Sequence, residues 1–370
     1  MGTIKQNRAN NIVTGGKIDA TDGLNNNVPA ANIANASLTN VTAYPPSAGA
    51  GVSQLASDPP SPTEGQMWYN TTTNTLKQYA LGAGAWATGG NLNTARYVPG
   101  GGGTSTAGIM FAGSVGPSVS NTELYNGTSW TEVNDINTAR ERISPAANTQ
   151  TAALGSGGSI APGYSNTAAT ESWNGTSWTE VNDLNTTGNG QFGFGTNTAA
   201  INVGGAPPPG QNVTQVWNGT SWTTSPATLN QGRKDAENGG MGTSTAGLIA
   251  GGNNGSPAYG QTESWNGSAW TELNDLNTAR TAMVLSGTQT SGLAFGGQPA
   301  ATNGALTEEW NGTTWSETTD MSSSRRNLAG SMGTETTTAL AFGGIGPTPG
   351  AVTATEEWTK AVAIQTITAS

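Results

Sequence analysis

The sequence predicts an all-β chain wound into a β-propeller, and three observations carry the prediction. Five segments read Asn-Gly-Thr/Ser-x-Trp, at Asn126–Trp130, Asn174–Trp178, Asn218–Trp222, Asn266–Trp270 and Asn311–Trp315, with spacings of 48, 44, 48 and 45 residues. An aromatic residue (Tyr125, Trp173, Trp217, Trp265, Trp310) precedes each segment, at the end of a Thr-rich run. Upstream lies a small-residue run ending in paired glycines: Gly157-Gly158, Gly204-Gly205, Gly251-Gly252, Gly296-Gly297 and Gly343-Gly344, with Ala112-Gly113 in the first unit. A period near 46 residues with four short strand signals per period is that of a four-stranded blade stacked against its neighbours. No stretch shows the 3.6-residue periodicity of an amphipathic helix.

The elements follow in order along each unit. Strands a and b flank a Gly/Thr turn, as in Ala282–Gly287 and Leu293–Gly297. Strand c is the Thr-Glu-x-Trp run, and strand d begins at the second Trp. Between c and d, Asn-Gly offers the positive φ that a tight hairpin turn demands. The same triplets match the N-glycosylation sequon, but the turn accounts for them without a modification. The run Gly100–Gly103 has no βαβ context and reads as strand rather than as a phosphate loop.

Six blades are expected, with seven as the alternative. The unit starting near Ser322 has its glycine doublet and its strand c (Thr355–Trp358) but no Asn-Gly-Thr-x-Trp. The missing strand is found at the other end, where Trp86 precedes Asn91-Leu92-Asn93-Thr94-Ala95-Arg96, the exit linker that follows strand d elsewhere. Closure by both termini hides two sheet edges. In the seven-bladed alternative, Ala361–Ser370 is itself strand d, and Trp68–Asn70, Leu76–Tyr79 and Trp86 make most of another blade.

One charge pattern repeats with the blades. An Arg starts strand a (Arg96, Arg140, Arg233, Arg280, Arg325), and a Glu stands two residues before the strand-c aromatic (Glu123, Glu171, Glu263, Glu308, Glu356). Unit 3 lacks both and carries Gly188 and Gln215 instead. Loss of the two together implies an Arg–Glu pair inside each blade, since an unpaired buried charge is costly.

Residues 1–57 are expected to be an extended N-terminal segment, 58–66 a Pro-rich linker, and 67–370 the propeller, with 67–92 giving a hairpin and the ring-closing strand. The leader scatters isolated apolar residues (Ile4, Ile12, Val13, Ile18, Leu24) through an Asn/Ala/Thr background, too few to bury a core alone. It must lie on a partner or trimerise, although no sustained heptads support a coiled coil.

Composition excludes much chemistry. The chain has no Cys and no His, which removes disulfides, zinc–thiolate sites, imidazole ligands and the Ser-His-Asp triad. A net charge of −10 leaves no footprint for nucleic acid, and no apolar run is long enough to insert into a membrane. Glu132, Glu180, Glu272 and Glu317 could supply a carboxylate pair for glycoside hydrolysis, yet they recur at one blade position, as rim residues do. The chain is therefore expected not to be an enzyme, with no catalytic residue, no metal site and no cofactor. Binding is expected where the repeats differ, in the b–c loops, which share one face. They offer Tyr164, Tyr259, Asn253, Asn254, Gln298 and Asn303, aromatic faces and amides suited to neutral glycans.

Two resemblances add to this reading. The glycine doublet, the aromatic and the later Trp resemble the kelch motif over about 93–370, which implies four-stranded blades and says little about activity. The Asn/Ala-rich stretch Val28–Thr42 looks like segments of tailed-bacteriophage fibre proteins. Gly65–Lys77 resembles a hairpin recurrent in phage structural proteins, often after a Pro-rich linker. These imply a virion component, such as a tail fibre, baseplate or capsid appendage, attached to other virion proteins through 1–57. Its propeller would contact the host surface or its glycans. A bacterial kelch-type glycan-binding module and a glycan-active enzyme are the other readings.

Overall fold

The computed structural model describes residues 52–207, 211–235, 238–255, 257–298, 304–334, 336–348 and 350–367. Most of the expected attachment segment therefore lies outside the described residues. Among those described there is no helix, and the strands form two compact units.

The larger unit, Ala83–Lys360, is a six-bladed β-propeller of four-stranded antiparallel sheets. Blade 1 runs through strands a to d as Gly100–Thr104, Ala107–Phe111, Thr122–Tyr125 and Trp130–Val133. Strands a are innermost and touch their neighbours all the way round the ring. They converge so closely that a Cβ on Gly102 would lie 2.2 Å from the Ala147 carbonyl oxygen, and one on Gly193 would lie 2.3 Å from that of Pro145. The Gly-rich composition of these strands is thus a requirement of the crowded axis.

Blade 6 is completed by the N-terminal strand. Its strands are Ala329–Gly330, Thr338–Phe342, Thr355–Thr359 and then Ala85–Thr88, with Trp86 opposite Trp358. Each strand-d Trp donates its indole N–H to a strand-c Thr hydroxyl of the preceding blade. Trp178, Trp222, Trp270 and Trp315 reach Thr122, Thr170, Thr214 and Thr262 at 2.9–3.1 Å. Trp86 reaches Thr307 at 3.1 Å and Trp130 reaches Thr355 at 3.0 Å, which closes the cycle at six.

The seven-bladed alternative fails because its strands belong elsewhere. Val362–Ile367 pairs with Thr75–Leu81, which pairs with Met67–Asn70, and Ser53–Leu55 adds a parallel edge. This sheet is the smaller unit, so the propeller starts at Ala83 and ends at Lys360 rather than spanning 67–370. The stretch expected as a stiff linker begins with a residue bonded to the hairpin. Asp58 accepts hydrogen bonds from Asn70 Nδ2 and Trp68 Nε1, both at 2.9 Å, and these hold its carboxyl below the usual carboxylate range.

The c–d turns differ from the expected tight hairpin. They are four-residue loops between paired aromatics such as Tyr125 and Trp130, and only the Gly has positive φ, +89° at Gly127. The Asn instead accepts backbone N–H bonds: Asn126 Oδ1 takes those of Thr128 and Ser129 at 3.0 and 2.9 Å.

The seam between blades 6 and 1 carries an extra bond. Tyr125 stands where later blades have Trp, and its hydroxyl donates to Glu357 Oε1 at 2.5 Å. Burial, assisted by this bond, pushes the phenol up to about 12. The folded state therefore keeps a proton that the unfolded chain releases near the ordinary tyrosine value of about 10. Stability from this group is complete below that value and is lost as pH rises toward about 12. Tyr125→Phe should flatten the decline in denaturation midpoint across that window, and an identical decline in the variant would refute the assignment. A second expectation concerns closure. An 83–360 fragment should melt well above a 93–360 fragment, which lacks Trp86 and exposes the edge of Thr355–Thr359. Equal melting temperatures would show that the N-terminal strand does not close the ring.

Candidate functional site: the face of linkers and b–c loops

The linker from strand d to the next strand a and the b–c loop of the same blade lie side by side. One backbone bridge per blade joins them: Tyr97 with Ser114, Glu141 with Ser159, Asn189 with Ala206, Lys234 with Asn253, Thr281 with Gln298, and Arg326 with Ile345. All six loops are therefore on one face.

Buried ion pairs hold this face. Arg96–Glu123, Arg140–Glu171, Arg280–Glu308 and Arg325–Glu356 pair at 2.8–2.9 Å, and Arg233 pairs with Glu263. All five Arg side chains are fully buried. Each carboxylate also accepts linker N–H groups, as Glu171 does from Asn137 at 2.7 Å. Each Arg also donates to carbonyls at the foot of its b–c loop; Arg140 reaches those of Gly157 and Ala169. Burial depresses the guanidinium pKa values, and the Glu partner opposes that shift. The exposed Glu132, Glu180, Glu272 and Glu317 sit across the strand from the buried carboxylates and add attraction on the Arg side chains. Each thus serves its own blade. In blade 3 a Cβ on Gly188 would lie 2.4 Å from Gln191 Nε2, so the buried Gln191 occupies the space of the missing Arg.

The glycine doublets join blade to blade. The second residue of each has positive φ and donates its N–H to the carbonyl of the next blade's Arg position. Gly113 reaches Arg140 at 2.8 Å, and Gly344 reaches Arg96 at 2.9 Å to complete the circle. Two residues past each Arg position a further ring encircles the axis. Val98, Arg142, Gly190, Asp235, Ala282 and Asn327 all have φ between +48° and +63°. Each N–H donates to the carbonyl of its counterpart one blade back, at 2.8–3.1 Å, from Val98→Asn327 round to Asn327→Ala282. For β-branched Val98 this backbone is strained, and the ring of bonds holds it there. Asn238 Nδ2 donates to the Pro99 carbonyl at 3.0 Å, joining opposite blades 4 and 1 across the axis.

The ring's side chains make a polar mouth. Arg142 pairs with Asp235 at 3.1 Å, two blades away, and the intervening position is Gly190, where a Cβ would lie 3.4 Å from the Asp235 carboxylate. Lys234 adds a contact to Asp235 at 3.4 Å.

The residues expected to bind are unequal in this setting. Tyr164 is 59% exposed at the tip of the blade 2 loop. Asn253 is committed to the framework: it donates to Asp235 and Thr281 and accepts from the Gly255 N–H. Tyr259 is half-buried, and its hydroxyl accepts from Gln231 at 3.4 Å. Asn254 is half-buried and engaged, and Gln298 is exposed at the end of strand b in blade 5. Asn303 lies outside the described residues. The sequence does not single out Arg142, Asp235 and Glu141, because they lie in the linkers at positions where the repeats share no residue type. The signal available was a repeat position, two after each Arg, whose side chains share no chemistry.

Glu308→Ala should destabilise by about 3–5 kcal/mol, since it strands the Arg280 charge. The double change Arg280→Met with Glu308→Leu should recover much of that loss in chemical denaturation. A single-variant cost below about 1 kcal/mol would mean that the pair contributes nothing to the blade.

No protein-family model matches the chain, and no curated protein matches it.

Proposed function

We propose that the chain is a structural component of a bacteriophage virion, as a tail fibre, baseplate or capsid appendage. It carries a kelch-like propeller for contact with host-surface glycans. The observation that carries this reading is the hairpin Met67–Asn70/Thr75–Leu81, formed by the segment that resembles a recurrent phage structural hairpin. The division within the propeller supports display rather than catalysis. Buried Trp–Thr bonds repeat in every blade and Arg–Glu bonds in five, whereas the b–c loops and the positions two residues past each Arg position differ from blade to blade. The four exposed strand-d carboxylates, Glu132, Glu180, Glu272 and Glu317, stand singly in four different blades, each across from its own blade's buried Glu.

Residues 1–57 are the proposed contact with other virion proteins. Removing 1–51 spares Ser53–Leu55 and should leave the melting temperature unchanged while abolishing incorporation into particles. Mass spectrometry of virions purified after complementation reads the outcome. Wild-type chain absent from the particles would favour the bacterial kelch-type glycan-binding module. Truncated chain present at wild-type level would remove the attachment role from the leader.

A further inference from the structure

We propose that the b–c hairpin of blade 2 forms a subsite for one neutral pyranose ring, an assignment that rests on the glycan-contact reading above. Among the described residues, four large apolar side chains are exposed: Val115, Ile160, Tyr164 and Ile364. The first three lie in the b–c loops of adjacent blades 1 and 2. A hydrogen bond from the Ala161 N–H to Ser118 Oγ at 3.1 Å joins those two loops.

The blade 2 loop is also the most built. It forms its own two-stranded ribbon, Ser159–Ile160 with Ser165–Asn166. Asn166 is tied toward blade 3 through a short bond from Asn189 Nδ2 and a longer one to the Ala206 carbonyl at 3.5 Å. Tyr164 is thus presented on an anchored element, with a φ of +51° that a bulky residue adopts only when its surroundings impose it.

Two unsatisfied oxygens lie at the base of the same ribbon. Glu141 and Ser159 exchange both backbone hydrogen bonds, so their side chains point to the same side. Glu141 Oε2 and Ser159 Oγ have no partner, and the two residues are 3% and 0% exposed. A buried carboxylate oxygen without a donor calls for one. Both oxygens are closed to solvent, so binding must part the ribbon to admit a sugar hydroxyl, which donates to Glu141 and accepts from Ser159 as one group that is both donor and acceptor. The apolar face of a pyranose suits the Tyr164 ring.

Charge selects the class of sugar. Glu141 repels carboxylated sugars, and the neighbouring Arg142 is already held by Asp235. With a net charge of −10 the whole chain adds to that exclusion.

The test is saturation-transfer NMR on the full chain. The probes are methyl β-galactoside, methyl β-glucoside, methyl N-acetyl-β-glucosaminide and, as the acidic member, N-acetylneuraminic acid. Transfer is expected to at least one neutral probe and not to the acid. Tyr164→Ala should weaken that binding about tenfold with melting unchanged, and Tyr259→Ala on blade 4 should leave it alone. Glu141→Gln and Ser159→Ala should each weaken it, and both melting temperatures are recorded so that loss of fold is not read as loss of binding. A neutral sugar bound equally well by Tyr164→Ala would overturn the subsite while leaving glycan contact elsewhere on the face. Transfer to none of the neutral probes would overturn it too, and the virion measurement above then stands independently.

Discussion

Each strand-d indole reaches out of its own sheet to a Thr hydroxyl in strand c of the preceding blade, and the closed fold depends on that bond being made six times. A single bond of this kind is worth only about 1 kcal/mol net. Its importance is geometric, because it fixes how far one blade rotates against the next while the aromatic pair behind it excludes water. Trp173 and Trp178, for instance, tilt against each other at 5.5 Å, and Trp86 and Trp358 repeat the pair in blade 6 at 5.4 Å. The sixth joint is made by a strand from the opposite end of the chain. A ring with five joints would leave a row of unpaired backbone groups along Thr355–Thr359, so closure must come from that strand.

The buried Arg–Glu pairs play a second, subordinate part. Well-packed apolar residues can match or exceed the stability of a buried ion pair, so stability alone does not explain why five blades keep one. Their distinctive feature is reach. One guanidinium touches the carboxylate of strand c and the carbonyls at the foot of the b–c loop, and the same carboxylate holds the incoming linker. An apolar pair could fill the space without fixing those three backbones to one another. Blade 3 shows what its absence entails: a glycine in place of the Arg and a glutamine folded into the vacated volume.

Most of this framework was legible in the sequence, since side-chain identity reports it. The period, the strand order, the closing role of Trp86 and the Arg–Glu pairing each rest on residues that recur in register. The joint loss of Arg and Glu in unit 3 marked them as partners. The small sheet was not legible, because alternation in Ala361–Ser370 identifies a strand without naming its neighbour, and two sheets could have claimed it. The axial ring was hidden for a different reason. Val98, Arg142, Gly190, Asp235, Ala282 and Asn327 share no chemistry, and what unites them is a backbone conformation and an N–H bond to the adjacent blade. Of the candidate loop residues, Asn253 misled most. Its amide looked available for a ligand, yet a long-range carboxylate, Asp235, had already claimed it.

That backbone ring also accounts for where variation can be tolerated. Its hydrogen bonds use only main-chain groups, so a side chain at any of the six positions can change without breaking the circle. The cost of the left-handed conformation falls on whichever residue stands there. Glycine bears it most easily, and it stands at Gly190, the position between Arg142 and Asp235, whose side chains pair across that blade. Each b–c loop is likewise fixed at its foot by a backbone bridge and by the glycine-doublet bond, to which Asn166 in blade 2 and Asn253 in blade 4 add side-chain bonds of their own. A surface built this way separates the residues that close the ring from those that the ring leaves unconstrained. The first set must repeat for the ring to shut, and the second is free to differ in every blade.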